Sequence, residues 1–228
     1  WMEKPWLRCH LKQQNPLMPW TPFGARLSIV FYSWFLVLRM AACFITFEGG
    51  EGTGKSTQAS LLAADLRARG LFVVHTREPG GTPEAEALRS LLVTGDTGRW
   101  TADAEALLNY AARDSHLHKL IRPALAAGQC VLCDRFMDST RAYQGYAGHC
   151  DMALLDSLEA AIVGATRPNL TLIFDLDPVA GLARAKERGD GSEDRYERKG
   201  LEFHQRLRRG FLTIAAADIV RCRIIDAR

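Results

Sequence analysis

No run in the 228 residues is long enough to cross a membrane: the longest apolar stretch, 27–38, has twelve residues against the ~20 a spanning helix needs. NKxD base-reading and DxxG switch motifs are both absent, which argues against a GTPase switch, and the GxGxxG dinucleotide fingerprint does not fit either. No large surplus of either charge exists. The net charge is +3, but residues 1–39 hold Lys4, Arg8, Lys12, Arg26 and Arg39 against Glu3, a surplus of +4, so the remainder carries −1. Overall charge therefore gives no support for a nucleic-acid surface. Cysteine is sparse and scattered, at 9, 43, 130, 133, 150 and 222. Cys130-Val-Leu-Cys133 has redox or zinc spacing, yet it lies in a strand-like apolar run where i and i+3 face opposite sides, so core packing is expected. His116 and His118 point apart on a helix, and no metal cluster of protein ligands is expected. Repeats are lacking, as is any linker that would divide residues 40–228.

What the chain does have is Glu48-Gly49-Gly50-Glu51-Gly52-Thr53-Gly54-Lys55-Ser56-Thr57, which reads GxxxxGKS from Gly49 to Ser56. An apolar run, 44–47, precedes it and a helix-favouring stretch, 58–69, follows. Closely spaced glycines let backbone N–H groups converge on one anion, and the helix adds the positive end of its dipole. Gly49, Gly50, Gly52, Thr53, Gly54 and Thr57 would cradle the ATP phosphates, with Lys55 reaching the outer ones and the Ser56 hydroxyl ligating Mg²⁺.

Residues 1–39 look foreign to the rest, with four of the five tryptophans and little periodicity. A signal peptide is one reading, since Arg26 precedes the apolar run. The preferred one is upstream sequence translated from a misplaced start, with the native chain opening at Met40 as a cytoplasmic protein. Beyond it, strands expected at 44–47, 72–76, 129–133, 171–175 and 223–225 alternate with helices at 58–69, 83–93, 102–127, 152–163, 178–188 and 201–217. That alternation predicts an α/β fold, a parallel, five-stranded sheet covered by helices. Pro123 should kink or interrupt the long helix. Residues 189–200 are too polar for a core and are expected to form a mobile lid. The loop 77–82 and Asp134-Arg135 fall at carboxyl ends of strands, where such sheets bind ligands.

Phosphoryl transfer needs positioning and positive charge more than covalent help. Asp134 is placed to organise Mg²⁺ through water, unless it only caps its turn. Arg135 suits a bidentate grip on an acceptor phosphate, with a surface ion pair as the alternative. Glu51 opposes the purpose of an anion-binding loop, so it should face away from the donor, toward a sugar hydroxyl, or else be a solvated loop charge.

In this order the residues resemble the bacterial thymidylate kinases: 44–57, Arg77-Glu78-Pro79-Gly80-Gly81-Thr82, Ala111-Ala112-Arg113, Cys133-Asp134-Arg135-Phe136, and Asp138-Ser139-Thr140 through Tyr143-Gln144-Gly145. The resemblance spans about 40–228. It implies a three-layer α/β/α P-loop kinase fold, transfer of the ATP γ-phosphate to dTMP with Mg²⁺, and a homodimer. Position by position, it implies that Glu51 approaches the acceptor, Arg135 binds the dTMP phosphate, Arg113 reads the thymine edge and Tyr143 packs on the deoxyribose. Arg77, Ser139, Thr140 and Gln144 join the acceptor site. The phosphate loop carries no arginine, so the catalytic one should come from the lid, Arg195 first and Arg188 second. Two departures stand out. Asn109 occupies a position where the family usually has a base-stacking aromatic, with Tyr110 next to it, and the chain stops where relatives continue into a further helix. A kinase for another nucleoside monophosphate, and a nucleotide-binding but inactive fragment, are therefore the alternatives.

Overall fold

The structure, a computed structural model, describes residues 42–188 and 194–228, without the Arg188 side chain. Expectations for 1–39, for 189–193 and for that side chain lie outside the described residues. Five strands, β1 (Cys43–Gly49), β2 (Val73–Arg77), β3 (Cys130–Asp134), β4 (Leu170–Asp175) and β5 (Cys222–Asp226), form one parallel sheet in the order β2-β3-β1-β4-β5. Each expected strand is present with its ends shifted by a residue or two. The helices are α1 (Lys55–Ala68), α2 (Pro83–Val93), α3 (Ala102–His116), α4 (Arg122–Ala126), α5 (Met137–Thr140), α6 (Met152–Ile162), α7 (Pro178–Arg188) and α8 (Leu201–Ala217). Their starts follow local chemistry. Thr82 and Thr101 accept from the N–H groups of Ala85 and Ala104, and Pro83 sits where no N–H is needed.

The interruption expected at Pro123 takes the form of a π-helical turn, Leu117–Ile121, between α3 and α4. Proline lacks the N–H that would bond the carbonyl four residues back, and the wider turn absorbs the mismatch. A second π-helical segment, Arg141–Ala147, follows α5 where no helix was expected. Cys130 is buried as anticipated, but it is disulfide-bonded to Cys43, its register partner on β1, while Cys133 is buried and free.

Strands β1, β3 and β4 are buried along nearly their whole length, as strands covered on both faces must be. Alternation puts Phe44, Thr46 and Glu48 on one face with Val131, Cys133, Thr171 and Ile173, under helices α3, α6 and α8. The opposite face carries Ile45, Phe47, Leu132 and Phe174, and α1, with Ala59, Ala63 and Leu66 buried, packs on β1, β2 and β3. Small residues on α1 allow the helix to lie close to the sheet.

The polar segment after α7 departs most from expectation. From Asp194 onward it is packed rather than loose, and Arg195 is fully buried. Its Nε donates to the Asp96 carbonyl (2.8 Å), Nη1 to that of Leu92 (2.9 Å), and Nη2 to that of Thr97 (3.1 Å) and to Glu105 Oε1 (2.5 Å). Nearly all its donors are committed to α2, to α3 and to the loop between them, an arrangement that differs from the free lid arginine expected at Arg195. A guanidinium so engaged is an anchor. Glu105 also accepts from Lys199, Tyr196 and Gln144, so one buried carboxylate ties the segment to α3. Arg195→Ala is expected to lower stability by on the order of 3 kcal/mol, measured by urea unfolding, because it breaks a buried ion pair. Loss of turnover at unchanged stability would return Arg195 to the transferring phosphoryl group.

Candidate active site

Parallel register sets the site. Phe47 and Arg77 both pair with Asp134, and Gly49 pairs with Phe174, so the carboxyl ends of β2, β3, β1 and β4 lie side by side. The strand order reverses around β1, the place where open α/β sheets bind ligands. From there the phosphate loop curls into α1 through Gly52 and Gly54, both at positive φ. Gly52 also packs on α7: a Cβ there would fall 1.9 Å from the Gly181 carbonyl oxygen. Only glycine fits.

Lys55 and Arg135 are bonded to carbonyls of the loop itself. Lys55 Nζ donates to the Gly50 carbonyl (2.6 Å) and to Thr53 Oγ1 (3.2 Å). Burial, with Arg135 nearby, lowers its pKa to about 8. Ser56 donates to the Asp134 carboxylate, bringing both expected Mg²⁺ ligands together. Hard cations take oxygen donors, so this pair fits one. Thr57 is exposed on the first turn of α1.

Arg135 follows β3 in the left-handed region at φ 69, its N–H donating to Phe47 O. Glu48 holds the turn, accepting from the Phe136 N–H (2.7 Å) and the Ser139 hydroxyl (2.5 Å). Burial first, then Asp138, raises the Glu48 pKa to about 7. So oriented, Arg135 donates to the Gly49 carbonyl (2.9 Å) and to both Glu51 oxygens (3.1 Å each). Tyr143 donates to the same carboxylate. Burial alone would raise the Glu51 pKa, but Arg135, Lys55 and the Tyr143 hydroxyl outweigh it and hold it at about 2.

Two cavities meet at this pair. One, of about 190 Å³, is lined by the loop from Glu51 to Ser56 with Arg77 and Asp134. The other, of about 130 Å³, is lined by Asn109, Arg113, Ser139, Thr140, Tyr143 and Gln144, among others. Glu51, Glu78, Arg89 and Arg135 border both. Most residues expected for the acceptor line the second cavity and the phosphate-loop residues line the first. Arg77 is on the loop side, half exposed and paired with Glu86, whereas Arg89, which motif reading missed, reaches both.

Arg113 is buried between the Tyr110 and Phe136 rings, at 4.6 and 5.0 Å. Nε donates to Glu78 (2.8 Å) and Nη2 to Thr140 (2.9 Å), while Nη1 is buried without a partner. Tyr110 therefore backs the arginine instead of facing the cavity. Asn109 donates to the Glu105 carbonyl on its own helix, and the cavity's rings come from Phe136, Tyr143 and Tyr196. His116 is buried and His118 exposed. Glu48 and Glu78 lie within the motif stretches and Tyr196 beside Arg195, but no local pattern gives them or Glu105 a partner: each acts through partners distant in sequence.

A family model described as thymidylate kinase matches residues 47–228. Proteins named thymidylate kinase from Caulobacter vibrioides and Ruegeria pomeroyi are each 55% identical, over 81% and 80% of this chain and 88% and 86% of their own. The crystal structure of thymidylate kinase from Ehrlichia chaffeensis matches with a TM-score of 0.67 at 37% identity, covering 81% of this chain and 93% of that one. Among the described residues, no helix is long and apolar enough to cross a membrane.

ATP affinity is expected to fall above pH 8, by up to tenfold per unit (about 1.4 kcal/mol), because free Lys55 is charged below its pKa of about 8 and neutral above it. Titrations of ATP binding on either side of that pH would check this; a flat profile would mean the lysine keeps its charge in the free protein.

Proposed function

The chain belongs to the thymidylate kinase family, ATP-dependent enzymes that phosphorylate dTMP to dTDP, and we propose that its own transfer runs across the Glu51–Arg135 partition. The observation that carries this reading is the pair of cavities sharing Glu51, Glu78, Arg89 and Arg135. Donor phosphates would displace the Gly50 carbonyl from Lys55 and be wrapped by the loop N–H groups. On the other side the acceptor phosphate would take Arg135, with Glu51 left to hold the acceptor sugar or its phosphate. Phosphate oxygens match a guanidinium better than one carbonyl does.

Arg113 Nη1, the unpartnered buried donor, suits a thymine carbonyl, and Tyr143 is placed to pack on the deoxyribose and disfavour a 2′-hydroxyl. Ser139, Thr140 and Gln144 shape the same compartment. Ser56 and Asp134 would hold Mg²⁺, which neutralises charge on the donor phosphates when bound. With Arg195 committed to Glu105, the arginine for the transition state is assigned to Arg188, which closes α7. The protein is proposed to act as a cytoplasmic homodimer, without nucleic-acid or membrane partners.

A coupled ADP-release assay with ATP, Mg²⁺ and dTMP, dUMP, UMP, CMP, AMP or GMP tests the reading. Preference for dTMP is expected. Faster turnover of another monophosphate would favour the second reading, for which Asn109, presenting an amide in place of a ring, is the specific observation. Arg188→Ala is expected to cut kcat by about 10²–10³ with little change in ATP KM, as for a charge needed mainly in the transition state. Unchanged kcat would move that role elsewhere.

A further inference from the structure

His116 has no role in the phosphate-loop and acceptor residues named so far and is fully buried on α3, one turn beyond Arg113. Its Nδ1 lies 3.0 Å from Glu78 Oε1 and its Nε2 lies 2.8 Å from Thr76 Oγ1. Glu78 passes its other oxygen to Arg113 Nε at 2.8 Å. We propose that His116 is a positioning residue that sets acceptor-base recognition, holding Glu78 so that Arg113 keeps its guanidinium, with Nη1 unpartnered, at the wall of the acceptor cavity. This rests on the reading of Arg113 as the group that meets the base.

The partners fix the proton pattern. A carboxylate bonded to Arg113 only accepts, so Nδ1 carries a proton toward Glu78, and Nε2 shares a hydrogen bond with the Thr76 hydroxyl. The pair is closed off from ligand: a Cβ at Gly81 would fall 2.5 Å from His116 Nε2 and 2.6 Å from Thr76 Oγ1. His116 therefore works through Glu78.

Occupying one Glu78 oxygen has a specific consequence. Carboxylates favour two parallel bonds to a guanidinium. Released from His116, Glu78 could take a second Arg113 N–H, drawing the guanidinium from Thr140 and shifting Nη1 from its present position. The flanking rings fix the guanidinium plane, but only the Glu78 and Thr140 bonds fix its rotation.

Two near-isosteres separate positioning from packing. The amide nitrogen of His116→Asn can stand in for Nδ1 and keep Glu78, whereas His116→Gln puts its amide near Nε2 and releases Glu78. His116→Gln is expected to raise the dTMP KM about tenfold, the scale of one charge-assisted hydrogen bond, with kcat and ATP KM within about twofold. His116→Asn should stay close to the parent. Thr76→Val, which removes only the hydroxyl on Nε2, should raise dTMP KM by about threefold and serves if the histidine variants fail to fold. Equal behaviour of the two histidine variants, or an unchanged dTMP KM in His116→Gln and Thr76→Val, would overturn the proposal. Arg113→Ala distinguishes the two levels: if it raises dTMP KM while the His116 variants do not, only the relay fails. An unchanged KM in Arg113→Ala refutes the base-reading role and the relay with it.

Discussion

Parallel pairing of β1 with its neighbours β3 and β4 is the constraint on which the site depends. Hydrogen bonding places Phe47 beside Asp134 and Gly49 beside Phe174, so the phosphate loop, the Asp134-Arg135 turn and the start of the β4–α7 connection emerge at one edge. Buried strands cannot slip by one residue without turning their apolar side chains to the wrong face. The accuracy of the site is therefore inherited from the packing of the sheet.

At that edge the protein concentrates charge and then restrains it. Lys55 is buried and Arg135 half-buried, and both are bonded to carbonyls, Arg135 also to Glu51, which keeps each ordered. Such bonds are strong enough to orient and, being to single loop carbonyls and one shared carboxylate, exchangeable for phosphate oxygens. Arg135 reaches its place only because the backbone takes a left-handed turn there, and Glu48 secures that turn through Phe136 and Ser139. Local strain of this kind persists where surrounding bonds over-determine it.

The cavity beside Arg113 and Tyr143 is built by longer-range carboxylates. Glu78 gathers Arg113 and His116, and Glu105 gathers Arg195, Tyr196, Lys199 and Gln144. Composition suggested a loose segment after α7, because charged residues rarely enter a core unpaired. Arg195 enters because Glu105 and three backbone carbonyls receive it. Tyr110 is likewise drawn beneath Arg113, leaving other rings to line the cavity.

Sequence by itself determined the strand and helix alternation, the phosphate loop, and the strand ends carrying Arg77, Asp134 and Arg135, since each rests on spacing within a few residues. It also placed Ser56 with Asp134, and Glu51 with Arg135, at a common edge. Only the tertiary structure decided which charges line the cavities and which serve as anchors. Arg195 and Glu105, or His116 and Glu78, meet across long stretches of chain, and a local pattern contains no term for the partner that satisfies a buried charge. The disulfide partner of Cys130 and the π-helical turn before Pro123 were hidden for the same reason: both are set by the packing of neighbouring elements.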